Sequence, residues 1–308
     1  MNKINELSYE IKIRNTLYFE AAIGLSGNNF LLLFQVLKFI LGQRTRLTDL
    51  PISLLALIHI LMLVVMSLVA SDIFMPGKRW SDSTCKTVIF LYRFFRSLSL
   101  CATSLLSILQ AITLSPRNSC LGKFKHISPY HMLGCLFVLS IFYTSLSSPL
   151  IAYVTATPNL TSPGFTYITQ YCCLLPMHYS FWHTFYILFT LRDVIFVGLM
   201  AISSTYMVTF LYRHKKQSQF LHSTNHSPTS SPEHRATQTI LCLMSFFVVM
   251  YTLDSVISYF LYPSKDPIFY FIVIFLCHNY ATVSPFLVLS TEKQIIHIFK
   301  CHGRTVDI

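Results

Sequence analysis

The chain has 308 residues, 53% of them hydrophobic and only 11% charged, with a formal net charge of +11. Soluble domains carry about 25% charged residues, so no water-facing domain exists here to bear a basic face, and a nucleic-acid binder is excluded. The composition is that of a polytopic membrane protein with its positive charge in loops.

Residues 1–15 are polar and charged without an apolar core, so no cleavable signal is expected and the first hydrophobic helix acts as its own insertion signal. Seven spans follow, at roughly Thr16–Leu41, Thr48–Ser71, Lys86–Leu114, Tyr130–Ala156, Thr184–Tyr212, Thr237–Tyr262 and Pro267–Ser290. Only Pro263–Asp266 separates the last two, but together they exceed twice the length a bilayer needs, so they are two spans. The expected fold is all-α: one seven-transmembrane helix bundle over residues 1–308.

The third span opens at Cys85 and closes at Pro116 before a basic cluster. Its Ser97, Ser99, Ala102, Thr103, Ser104, Ser107 and Ala111 are small enough to admit close neighbours, which marks a helix surrounded by other helices. Arg93 and Arg96 sit about a turn apart near its cysteine end, and in hydrocarbon they need a wet cavity or a partner.

Loop charge sets the orientation. With the carboxy terminus inside, twelve loop Lys and Arg lie inside and six outside, so seven spans put the amino terminus outside. Residues 157–183 contain no Lys or Arg and carry the acceptor Asn159-Leu160-Thr161, as an outer, glycosylated loop would. A second match, Asn225-His226-Ser227, falls in a loop assigned to the inside. The outer loop also holds Cys172 and Cys173, and Cys85 lies at the outer end of span three. An oxidising compartment allows a bridge from Cys85 to Cys172, with Cys173 as the competing partner. Residues 213–236 form a Ser-, His- and Pro-rich inner loop that cannot build a core and is expected to be flexible. Its four histidines are irregularly spaced and the nine cysteines form no C-x-x-C pair, so neither a metal nor a cofactor is expected.

More specific stretches narrow the class. Arg96–His126, Leu55–His59, Arg79-Trp80, Leu191–Met200, Leu211–Gln217 and Tyr280–Lys293 resemble the signature of vomeronasal type-1 receptors, a branch of the rhodopsin-like G-protein-coupled receptors. The resemblance implies a plasma-membrane receptor of vomeronasal sensory neurons that detects pheromone-like or other small chemosignals and couples to a Gi/o-type heterotrimeric G protein. Departures from the wider superfamily pattern agree with this branch. His59 stands at the span-two aspartate position, Ser107-Ile108-Leu109 where an Asp-Arg-Tyr motif ends span three, and Ser284-Pro285 for Asn-Pro. Neither an arginine-based lock nor a sodium site is therefore carried over.

A ligand pocket is expected to open outward among spans three, five, six and seven, with Tyr92, Arg93, Arg96 and Asp254 as its charged and polar wall. Arg93 would pair with an anionic ligand or, internally, with Asp254 or Glu20. Arg192 and Asp193, about 100° apart on a helix, are expected to lock span five to other helices. Phe94, Phe95, Phe181, Trp182, Tyr186, Tyr251 and Phe271 are candidates for an apolar wall, of which two or three are expected to serve. Arg117, Lys123, Lys125, Arg213, Lys215 and Lys216 make an inner basic rim for a G protein or anionic lipid, and Cys301 is a candidate palmitoylation site. The competing function is a small transporter or channel, which would show repeats and interrupted helices; no repeat is found and the span count is odd. His59, Asp254 and Glu20 are too scattered for a membrane enzyme.

Overall fold

The computed structural model describes residues 3–42, 48–74, 80–116, 119, 121–126, 129–156, 166–167, 172–221, 241–253, 256 and 267–290. Among the described residues seven helices appear in chain order: α1 (Lys3–Ile40), α2 (Asp49–Phe74), α3 (Asp82–Leu114), α4 (Pro129–Ala152), α5 (Tyr179–Leu221), α6 (Leu241–Leu253) and α7 (Pro267–Leu289). A short 3₁₀ turn, Leu121–His126, follows α3. Three short strands, β1 (Val154–Ala156), β2 (Thr166–Tyr167) and β3 (Cys172–Leu174), lie between α4 and α5.

Long apolar segments of α1, α2, α3 and α5 are each sufficient to cross a bilayer, and α4, α6 and α7 hold shorter ones. Their surfaces follow from the solvent. On α2, Leu57, Leu61, Val64 and Leu68 are exposed at helical spacing, while Leu55, Ile58, Met62 and Met66 on the other face are buried. In water such an exposed stripe would be costly; in lipid it is the face that satisfies the helix. α3 is the most enclosed of the four long spans, and all seven of its small residues named above are buried. It is capped at both ends. The Ser81 hydroxyl accepts from the Thr84 amide at 3.2 Å, and Asp82 in the first turn favours the positive end of the helix. Ser115 takes an extended backbone ahead of Pro116, which ends the helix.

α1 and α7 approach closely along a glycine seam. A Cβ at Gly24 would lie 3.2 Å from Thr282 Cα, and one at Gly27 3.1 Å from Pro285 Cγ, so neither position admits a side chain without separating the helices. Asn28 secures the seam by donating to the carbonyls of Gly24 and Ala281, each at 2.8 Å. At the far end of α1, Lys38 pairs with Asp49 of α2 at 3.3 Å, with both side chains about 9% exposed.

Several boundaries differ from the expected spans. α1 starts at Lys3 rather than near Thr16, since a helix can continue past its apolar stretch, which hydropathy does not register. α4 stops at Ala152, not Ala156, because β-branched Val154 and Thr155 enter a strand. α5 begins at Tyr179 and runs through Leu221, so residues 213–221, expected within a flexible loop, are helical. Residues 222–236 of that loop lie outside the described residues.

Candidate ligand-binding site

The mouth of the bundle is built first by the strands. β3 is the central strand, with β1 and β2 antiparallel on either side. Cys85, in the first turn of α3, is disulfide-bonded to Cys172 of β3, with Cα atoms 5.8 Å apart. The bridge therefore goes to Cys172 rather than Cys173, which is buried in β3 opposite Thr155 and Tyr167. Asp82, one turn before Cys85, supplies an anchor that sequence reading missed. Its Oδ1 accepts from the Ala156 amide at 2.7 Å and from Thr155 Oγ1 at 3.0 Å. Ala156 pairs in register with Cys172, so α3 grips two neighbouring strands at one point.

Beneath the mouth lies an arginine–aromatic cluster. Arg96 donates to the Tyr92 hydroxyl at 3.0 Å, and its guanidinium stands 4.9 Å from the centre of the Tyr251 ring. Arg93 lies 5.9 Å from the Phe189 ring of α5. Arg192 also lies over Phe189, at 4.9 Å, and over Tyr143 of α4, at 5.4 Å. Ring faces carry negative charge density, so they hold guanidinium groups at far lower desolvation cost than aliphatic walls.

Arg192 and Asp193 depart from expectation. They pair with each other, with nitrogen–oxygen distances of 2.6 and 2.7 Å. The long arginine stem spans the angle between neighbouring positions and leaves Nη1 to donate to Ser97 of α3 at 2.7 Å. The link from span five to another helix thus runs through a serine, not a second charge. The Arg93–Glu20 pairing is not formed either: both Glu20 carboxylate oxygens are buried without a hydrogen bond. Asp254 lies outside the described residues.

Arg96, Ser99, Tyr251, Phe247, Tyr280, Met62, Met250 and Leu276 line a cavity of about 30 Å³. That holds water and is too small for an organic molecule. The cavity draws on α2, α3, α6 and α7. Of the aromatic candidates, Tyr251 lines it; Phe247 and Tyr280 were not singled out from sequence, because every span is rich in aromatics and only packing distinguishes them. Phe94 stacks on Phe90, and Phe271 packs against Phe275. Phe95 packs into the core and Phe181 against Phe185. Trp182 and Tyr186 lie in the first turns of α5.

Below the cavity is a polar core. His59 Nε2 is hydrogen-bonded to Ser99 Oγ and Nδ1 to Ser284 Oγ, both at 3.0 Å. The Tyr280 ring meets the imidazole edge-on at 5.1 Å, and its hydroxyl contacts Thr103 Oγ1 at 3.2 Å. Both ring nitrogens thus have a serine partner. One imidazole and two hydroxyls join α2, α3 and α7. At the other end of α3, Ser115 Oγ meets the Tyr206 hydroxyl of α5 at 2.8 Å. Near this end Lys123 is exposed in the 3₁₀ turn that also contains Lys125, and Arg213 and Lys216 are exposed on α5 beside Lys215. Arg117, Asn159 and Cys301 lie outside the described residues.

Seven apolar helices in one bundle, the third disulfide-bonded to a strand over its mouth, define a seven-transmembrane receptor of the G-protein-coupled class. Residues 11–301 match the vomeronasal organ pheromone receptor family. The chain is 66% identical over 309 residues to vomeronasal type-1 receptor 54 of Mus musculus, covering 100% of this chain and 98% of that one. It is 51% identical over 302 residues to vomeronasal type-1 receptor 100 of Rattus norvegicus, covering 97% and 92%. The chain belongs to the vomeronasal type-1 receptor family: it is a multi-pass plasma-membrane pheromone receptor of vomeronasal neurons that acts through a G protein, and not an enzyme.

Proposed function

We propose that this receptor binds its chemosignal in the outer half of the bundle, between the strand cover and the His59 core, and activates a Gi/o-type G protein. The observation that carries the binding site is Arg96, held between Tyr92 and Tyr251 on the wall of the cavity. A guanidinium presents its N–H donors in a planar fork that matches carboxylate-like acceptors. The site suits a ligand with an apolar body and an anionic or strongly accepting group. Arg93 and Asp254 complete the charged wall in this reading. Because the cavity is small, ligand entry requires Arg96 or the Tyr251 and Phe247 rings to turn aside.

The amino terminus is outside and the carboxy terminus in the cytosol, as the distribution of loop charge favours. Asn159 is then glycosylated in the outer loop. Arg117, Lys123, Lys125, Arg213 and Lys215 face the G protein and anionic lipid headgroups.

The test is a panel of small acidic and neutral odorants applied to cells expressing the receptor with a Gi/o reporter, repeated with Arg93→Ala and Arg96→Ala. A loss of roughly tenfold or more in potency for Arg96→Ala, at equal surface level, is expected for any active compound, as for one charge-assisted hydrogen bond. Responses unchanged in both variants would remove these arginines from the pocket, and a response carried only by a different G-protein class would overturn the coupling.

A further inference from the structure

His59 packs behind the cavity wall and touches two residues that form it. Ser99 and Tyr280 both line the cavity. Ser99 Oγ is hydrogen-bonded to His59 Nε2 at 3.0 Å, and the Tyr280 ring meets the imidazole edge-on with centres 5.1 Å apart. From Tyr280 the contacts continue round the cavity. Its ring meets Phe247 edge-on at 4.3 Å, Phe247 stacks on Tyr251 at 5.5 Å, and Arg96 lies over Tyr251 at 4.9 Å. Arg96 and Ser99 are about one turn apart on α3 and so close the circuit. It joins α2, α3, α6 and α7, and His59 is its link from α3 to α7.

The imidazole is itself held firmly. Its Nδ1 is bonded to Ser284 Oγ at 3.0 Å, so with both nitrogens engaged the plane of the ring is set. Tyr280 is anchored at its far end, where the hydroxyl contacts Thr103 Oγ1 at 3.2 Å; its ring is placed by His59 and Phe247. His59 is buried. Loss of its ring would open a void directly behind Ser99 and Tyr280, and close-packed neighbours relax into such a void only in part. We propose that His59 is a positioning residue of the ligand site: it holds the Ser99 hydroxyl and the Tyr280 ring where they form the cavity wall, and so sets ligand affinity without touching the ligand. The proposal rests on the cavity being the ligand site and adds the residue that shapes it from behind.

A reporter is built into the wall. Met250 of α6 lines the same cavity, and a methionine methyl resonance moves with the ring currents of the aromatics beside it. The contacts described here lead from His59 to α6 through Tyr280 and Phe247, so Met250 senses the placement of the rings rather than the imidazole itself. Met62 also lines the cavity, but it lies about one turn from His59 on α2 and would respond to any change there. Met207, buried on α5 and not part of the cavity wall, serves as the control.

Carbon-13 methyl spectra of the methionine-labelled full-length receptor in phosphatidylcholine nanodiscs test it, with no ligand added. The Met250 resonance, assigned by its loss in Met250→Leu, is expected to shift in His59→Ala while that of Met207 stays in place. A histidine that merely stabilises the bundle would lower the melting temperature and leave Met250 unmoved. If His59→Ala fails to accumulate, His59→Asn replaces it, since an amide offers Tyr280 no ring to meet. In reporter cells given the acidic odorants of the panel, His59→Ala at equal surface level should lose potency, by less than Arg96→Ala. An unmoved Met250 resonance below the melting temperature would overturn the positioning role, as would unchanged potency where Arg96→Ala loses it. If Arg96→Ala is silent as well, the ligand site lies elsewhere, and the Met250 shift alone decides whether His59 shapes this wall.

Discussion

Arginine between membrane helices is expensive, and Arg96 and Arg192 lower the cost in two ways. Arg192 is tied to Asp193 and Ser97 and covered by two rings, which suits a fixed strut. Arg96 donates to the Tyr92 hydroxyl and lies over the Tyr251 ring on the wall of a cavity, where an incoming ligand would meet it. His59 is a third solution, a polar group satisfied by two serines from two other helices. Replacing it with alanine orphans the buried Ser99 hydroxyl, while Ser284 Oγ keeps the Ala281 carbonyl at 3.4 Å; an orphaned buried group costs roughly 1–3 kcal/mol. His59→Ala should lower the melting temperature of the purified receptor clearly, and His59→Asn by less, since an amide retains a donor and an acceptor. Equal melting temperatures for His59→Ala and wild type would show that the serines do not depend on the imidazole.

At the scale of elements, the strand cover is the feature whose orientation matters most. A single disulfide to Cys172 would leave the sheet free to swivel. Asp82 removes that freedom by holding the amide of Ala156 on β1, an edge strand whose outward N–H would otherwise face water. Asp82→Ala should keep the bridge while the Ala156 amide loses its protection, read as faster hydrogen exchange over residues 153–156. Unchanged exchange there would make the contact incidental. The Lys38–Asp49 pair does comparable work at the corner between α1 and α2.

For the whole molecule, the odd number of crossings and the outer bridge are linked. If the amino terminus is outside, a tag placed there is stained on intact cells and one at the carboxy terminus only after permeabilisation. Equal staining at both ends would contradict the topology. Cys85→Ser should abolish surface delivery or signalling, because the strand cover then loses its covalent tie to α3; normal delivery and signalling would mean the cover assembles without it.

Much of this was legible in the sequence for a simple reason: the bilayer is a harsh solvent that demands long apolar helices, so hydropathy alone counts them, and small residues along α3 mark it as the enclosed one. The cysteine that opens span three and the stretches Arg96–His126 and Tyr280–Lys293 pointed to the family on residue identity. What hydropathy cannot register is structure outside the lipid, hence the missed extensions of α1 and α5 and the missed strands. Nor can it choose between Cys172 and Cys173, which are adjacent in the chain and separated only by the β3 register. The pairing of Arg192 with its own neighbour and the cavity role of Phe247 and Tyr280 both depend on which helix faces which. Distances between residues far apart in the chain are set by packing, and no local pattern encodes them.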